Sequence, residues 1–383
     1  MNICFTYPFT FHPFAGGIER VTHLLATELN KRGHSIFYLN YNHNTQYDNF
    51  IFPATVSYIN ENLDKTVRLS EYQQFLKDND IHVVINQGGT MGSCLLFCQT
   101  GNPKIKCITT IHNTPWLNYR VLFKELIILR DQSLLEQFKR IYRIFAYPAR
   151  KRSLKKYLKG IYSNLSDNSD YVCLLSSRFI PELKKIVPIS NKKLIAIGNP
   201  IDKVEPITSK KEKIVLFIAR MELNQKRPDR MIKIWKEIAY SMPDWKLIMI
   251  GNGRGLEMIK KMARSVPNIL FESNTNPDEF YRRGAILCMT SDYEGWGMVL
   301  TEAMSYGVVP MAFSSFASVH DLLLDDRQKV TPFSIKEYSR KLKYLMDNSS
   351  LRSELIYQGY KIVNRFSVDN VVNQWETIIK RVF

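Results

Sequence analysis

One pattern constrains the fold of this chain more than any other: a short β-branched or apolar run that ends in Gly, Asn or Ser, followed by a helix-like stretch. It appears as NICFTYPF, SIFYLNYN, IHVVINQGG, KIKCITTIHN and SDYVCLLSS, with the amphipathic run ERVTHLLATELNKRG closed by Gly33 after the first of them. After a polar, Lys-rich segment, KVEPITSKKEK, it resumes as IVLFIAR, KLIMIGNG, NILFES, AILCMTS and VVPMAF. Strands apolar on both faces are covered on both faces, which predicts parallel sheets wrapped by helices. Two series in 383 residues predict an α/β protein of two doubly wound, Rossmann-like domains facing each other across a cleft. The boundaries fall at residues 1–202 for an N-terminal domain, 203–213 for a linker and 214–365 for a C-terminal domain. Residues from about Ser339 read as two helices. The second, within 366–383, carries Val371, Val372, Trp375, Ile378 and Ile379 on one face and is expected to pack back on the N-terminal domain.

Charge is uneven. The net charge of +17 divides into +11 before residue 200 and +6 after it. Twelve Lys or Arg lie between Arg120 and Lys159 against three acids, so an anionic partner is implied: membrane lipid, nucleic acid or a phosphorylated substrate. The six cysteines sit mostly in apolar runs with no CxxC pair, which favours buried thiols over a metal site or disulfides. The first residues, MNICFTYPFTFHPF, lack a basic region followed by an apolar one, and no run of eighteen apolar residues occurs. A cytoplasmic protein, at most peripheral on the inner face of the cytoplasmic membrane, is expected.

Chemistry concentrates in SDYEGWGMVLTEAMSYG, residues 291 to 307. A strand leads into a glycine-rich turn and then a helix. Backbone N–H groups and the positive dipole end at Gly297, Met298 and Val299 make an anion site, and glycine lets a phosphate approach closely. Glu294 and Glu302 flank it, and carboxylates there suit sugar hydroxyls rather than phosphates. From these residues alone, two solvated first-turn glutamates are an equal reading. IVLFIARMELNQKRPDR places Arg220 just past a strand and Lys226 and Arg227 before a helix, so cations gather at the carboxyl ends of neighbouring strands. The other glycine-rich stretch, IGNGRGLE, fails the dinucleotide fingerprint because its third position falls on Leu256.

These segments resemble glycosyltransferase family 4, the retaining nucleotide-sugar glycosyltransferases with the GT-B fold. The resemblance runs through GGIER, IHN at 111–113, GNPID at 198–202, ARMELNQKRPDR at 219–230, IGNG at 250–253 and EGWGMVLTEAM, in order. It implies that Arg220 and Lys226 hold the donor diphosphate with the backbone of Gly297, Met298 and Val299, and that Glu302 binds the ribose. Glu294 would meet the donor sugar, Gly16 and Gly17 the distal phosphate, and His112 would lie by the anomeric centre. Arg227-Pro228 stands where many members have glycine, a departure in that turn.

The resemblance further implies transfer of a hexose or N-acetylhexosamine from a nucleoside-diphosphate sugar, a UDP-sugar by preference, with retention. The acceptor would be a glycan or lipid-linked saccharide of lipopolysaccharide, capsule or another surface polysaccharide. No cofactor and no metal is expected, since Asp78-x-Asp80 precedes a strand, away from the expected cleft. KRIYRIFAYPARKRSLKKYLKGIY, residues 139–162, interleaves cations with aromatics as an interfacial segment on anionic lipid would, or as a solvated basic face; Pro148 is expected to divide it into two short helices. No nucleic-acid module is recognisable. Two other classes remain: a sugar-nucleotide epimerase on the same fold, and a non-catalytic scaffold subunit.

Overall fold

The computed structural model describes residues 1–117, 119, 121–122, 134–202, 211–273 and 276–381. The chain forms two units, one of Met1–Pro200 with Val368–Phe383, the other of Ile201–Ser367. In the first, β1 (Asn2–Tyr7), α1 (Gly17–Lys31), β2 (Ser35–Asn40), β3 (Thr55–Tyr58), α2 (Lys65–Asp78), β4 (Val83–Asn86) and β5 (Lys106–Ile111) follow one another. Then come α3 (Leu134–Asn168), β6 (Tyr171–Leu174), α4 (Ile180–Lys184) and β7 (Leu194–Ala196). The strands form one parallel sheet in the order β3-β2-β1-β4-β5-β6-β7. Its direction of growth reverses between β1 and β4, the crevice where sheets of this kind bind ligands at their carboxyl ends.

The second unit runs β8 (Ile214–Ile218), α5 (Pro228–Ile238), β9 (Lys246–Ile250), α6 (Leu256–Ala263), β10 (Ile269–Glu272), α7 (Asp278–Arg283) and β11 (Ile286–Met289). It continues with α8 (Met298–Ser305), β12 (Val309–Phe313), α9 (Val319–Leu322), β13 (Lys329–Val330), α10 (Ile335–Asp347) and α11 (Ser349–Arg365). The sheet order is β10-β9-β8-β11-β12-β13, again parallel, and it reverses between β8 and β11. Trp235, Met231 and Phe217 from α5 and β8 meet Tyr338 and Leu342 from α10 in its core. Burying side chains of that size stabilises by about 1.5–3 kcal/mol each.

Two expectations are corrected. Pro148 does not divide the basic stretch: α3 is continuous over 35 residues with Pro148 inside it. The ring is exposed, with good helix formers at Ala146 and Ala149 close to it in sequence, so the loss is confined to the bonds around one turn. The C-terminal residues from about Ser339 form three helices, not two, because Asn348 ends α10 while its side chain accepts from the Leu351 N–H to cap α11. The third is α12 (Val368–Arg381), which belongs to the first unit. There Arg32, at the end of α1, reaches Glu376 at 3.0 Å and Asp369 at 3.1 Å. Most of the expected linker, residues 203–210, lies outside the described residues. All six cysteines are buried and none is in a disulfide.

Candidate active site

At the reversal point of the second sheet, the chain leaving β8 and the chain leaving β11 are stitched together. The Asp292 N–H donates to the Gln225 carbonyl at 2.8 Å, and Thr290 Oγ1 donates to the carbonyls of Lys226 and Arg227 at 3.1 and 2.8 Å. Those bonds bring the two predicted residues Lys226 and Glu294 into contact: Nζ lies 2.7 Å from Oε1. Gln225 Nε2 braces the same carboxylate at 3.3 Å and the Tyr293 carbonyl at 3.2 Å. Glu294 is buried, so its charge is held by these partners rather than by water.

Arg220 lies just past β8, its side chain 67% exposed, with the Glu222 carboxylate 3.6 Å away. Its backbone is fixed from the β9 side, where Met221 N–H donates to the Asn252 carbonyl and Gly255 N–H to that of Met221, both at 2.8 Å. Gly251, at φ +135°, lets that loop press against Ala219 where a side chain would collide with backbone. Tyr293 feels both Arg220 and Glu294, and burial first, then nearby carboxylates, push its phenol up to about 12. Arg220 and Glu294 thus lie near the same phenol, and Glu294 in turn contacts Lys226.

Gly297 caps α8 at φ +95°, a conformation other residues rarely adopt, and Met298 and Val299 open the helix. Ser318 Oγ donates to the Gly295 carbonyl at 2.8 Å and pins the loop from behind. Glu302 sits one turn further along α8, with Oε2 accepting from the Tyr281 hydroxyl at 3.0 Å. An anion at this helix mouth would have Arg220 and Lys226 nearby and two carboxylates, Glu294 and Glu302, for hydroxyl groups on either side.

The first unit supplies a second group of predicted residues. Gly16, in extended backbone, caps α1, and Gly17 is its first helical residue. The Glu19 carboxylate folds over Gly16, where an added Cβ would lie 2.5 Å from Oε2, while the space over Gly17 is open. Burial raises the Glu19 carboxyl above its ordinary value. His112 follows β5, with Nε2 2.6 Å from Gln87 Oε1, and burial pushes the imidazole down to about 4. It is therefore neutral near pH 7, able to donate or accept a hydrogen bond without bringing a positive charge.

Sequence reasoning missed Gln225, Thr290, Asp292 and Ser318, which position the predicted groups. Asp292 lies two residues before Glu294 and was open to the same argument; the others carry no signal until β8 and β11 are known to be neighbours. Among the described residues, no three His, Cys, Asp or Glu side chains converge as a metal site would need.

Comparison with known proteins identifies the fold. Residues 15–205 match the model described as Glycosyltransferase Family 4, and residues 200–362 match Glycosyl transferases group 1. The amylovoran biosynthesis glycosyltransferase AmsD of Erwinia amylovora is 25% identical over 62% of this chain and 67% of its own. The poly(glycerol-phosphate) alpha-glucosyltransferase of Bacillus subtilis is 23% identical over 60% of this chain and 35% of its own. In structure, the lipopolysaccharide outer core galactosyltransferase WaaB superposes with a TM-score of 0.72 at 17% identity over 100% of both chains. HepE of Anabaena, in complex with UDP, gives 0.75 at 12% identity, again over 100% of both. The two family models together run from residue 15 to residue 362, through all of the second sheet, all but β1 of the first and the motifs assembled above, and the chain belongs to glycosyltransferase family 4, with the GT-B fold.

Proposed function

We propose that this protein transfers a hexose or N-acetylhexosamine, with retention, from UDP-sugar to a hydroxyl of a growing cell-surface glycan. The observation that carries the reading is the assembly of Arg220, Lys226 and Glu294 beside the glycine-capped mouth of α8. Arg220, Lys226 and the N–H groups of Met298 and Val299 take the diphosphate, neutralising by protein groups what a metal neutralises elsewhere. Glu302 takes the ribose hydroxyls and Glu294 the donor sugar. Gly17, with open space above it, receives the distal phosphate, and neutral His112 lies by the sugar. The bond from the anomeric carbon to the phosphate oxygen breaks as the acceptor oxygen bonds to the same face of an oxocarbenium-like centre. The departing phosphate accepts the acceptor's proton, and its charge is stabilised by Arg220 and Lys226.

The name of AmsD supports a surface-polysaccharide acceptor, and the UDP bound by HepE supports uridine as the base. The test is calorimetric titration of UDP, GDP and ADP without added metal. UDP is expected to bind selectively, and an Arg220→Ala, Lys226→Ala double variant to lose roughly 1.5–3 kcal/mol for each charge-assisted contact removed. If folded wild-type protein bound none of the three, the transferase reading would give way to a scaffold.

A further inference from the structure

Helix α3 presents two opposed faces. Leu158, Ile161, Tyr162 and Leu165 are buried, at the 0, 3, 4, 7 spacing of one helical stripe. Phe138, Ile141, Tyr142 and Phe145 have the same spacing, but they are exposed, Phe145 by 81%, Tyr142 by 72% and Phe138 by 68%. The two sets start twenty residues apart, which is about five and a half turns, so the exposed set points away from the side on which the helix packs. Further along the exposed stripe, apolar residues give way to Arg152, Lys156 and Lys159, with Lys155 at its edge, all exposed. Nine Lys or Arg fall between residues 139 and 159, and no acid occurs from Gln137 to Ser166. Beside the cationic end opens a shallow recess of about 480 Å³ lined by Leu95, Ser153, Lys156, Tyr157 and Asn164.

From this arrangement we infer that α3 is a membrane-docking surface whose partner is an anionic bilayer. Two consecutive turns of exposed aromatic and aliphatic side chains cost stability in water unless they are covered. The uninterrupted positive charge beside them selects a negatively charged covering, and the unbroken helix gives a strip about 30 Å long from Phe138 to Lys159. Such a strip fits a planar surface: the aromatic end enters the acyl boundary, while the cationic end lies at headgroup level with a phosphate able to enter the recess at Lys156. Lys151 is set apart from this role, since its ammonium lies over the rings of Tyr119 and Tyr147 at 5.3 and 5.8 Å. The inference concerns a surface of the first unit and stands whether or not the donor reading holds.

The test is co-sedimentation of the full chain with phosphatidylcholine vesicles, with and without phosphatidylglycerol, at low and high salt. The protein is expected to pellet with the anionic vesicles only and to be released by salt. A Phe138→Ser, Phe145→Ser variant should lose at least tenfold in affinity. A variant with Arg152, Lys155, Lys156 and Lys159 each changed to Gln should lose the preference for anionic lipid while keeping its circular dichroism spectrum and melting temperature. Equal pelleting of wild type and both variants would overturn the inference. So would failure of folded wild type to bind either vesicle; self-association abolished by the Phe138→Ser, Phe145→Ser variant would then assign the strip to a second copy of the chain.

Discussion

Lys226 is held by a carboxylate within its own unit. With its ammonium 2.7 Å from the Glu294 carboxylate and both side chains largely buried, the pair is neutral as a unit, and on the proposed reading a diphosphate would have to draw Lys226 away from Glu294 to bind. On the proposed donor reading, the same competition would work in reverse after transfer, with Glu294 released from the sugar and able to reclaim the lysine as UDP leaves. Removing one partner of such a pair leaves the other charge uncompensated, which an incoming anion then satisfies. Glu294→Gln is therefore expected to bind UDP more tightly, by about 1 kcal/mol or roughly fivefold in Kd, while slowing transfer. Calorimetry on the variant, paired with a turnover assay, reads both effects. Weaker or unchanged UDP binding would mean that Lys226 and Glu294 act independently. Neither residue's sequence context announces the contact; sixty-eight positions separate them, and it follows only from β8 and β11 being neighbours.

The turn between β8 and α5 is held in a conformation its sequence disfavours. Arg227 sits at φ +54°, ψ +52° as the N-cap of α5, ahead of Pro228 at the first helical position. A non-glycine residue pays about 1 kcal/mol to be there. What keeps it is the guanidinium fork on Asp229, two bonds of 2.8 Å, with Asp292 at 3.5 Å, while Arg230 takes the other oxygen of Asp292 at 2.5 Å. Both Arg227→Gly and Arg227→Ala lose the fork, but only the glycine variant also loses the strain. The glycine variant should thus be the more stable of the two by about 1 kcal/mol in urea unfolding, and both should raise the donor KM by loosening the turn that carries Lys226. Equal stabilities would remove the strain from the account, and an unchanged KM would remove the positioning role. This turn also marks where the sequence stops being legible. Strands such as IVLFI and ILCM announce themselves because both faces are apolar, whereas β3, β7 and β13 have four, three and two residues and partly exposed side chains. The helix mouth at Gly297 was readable from glycine's backbone freedom, but the sequence does not mark an arginine as left-handed when a fork on Asp229, backed by Asp292 from a neighbouring strand end, holds it.

At the scale of the whole chain, each unit is completed by a different part of the sequence. The chain leaves the first unit at Pro200 and returns to it at Val368, and the two crossings lie side by side, with the Ile201 N–H donating to the Phe366 carbonyl at 2.9 Å. The returning helix α12 buries Val371, Val372 and Trp375, and Trp375 lines the same small crevice as Gln87, His112 and Asn199. The first unit's core is therefore unfinished until the last residues arrive, whereas the core around Trp235 and Tyr338 is closed within the second. Trp375→Ala should cost about 3–5 kcal/mol, and the cost should fall on one unit. Native-state hydrogen exchange is expected to speed up at β1, α1 and α12 in this variant while α5 and α10 keep wild-type rates, giving two separated unfolding transitions in denaturant. Equal acceleration in both units would mean that they unfold as one cooperative body, and the returning helix would then stabilise the entire chain.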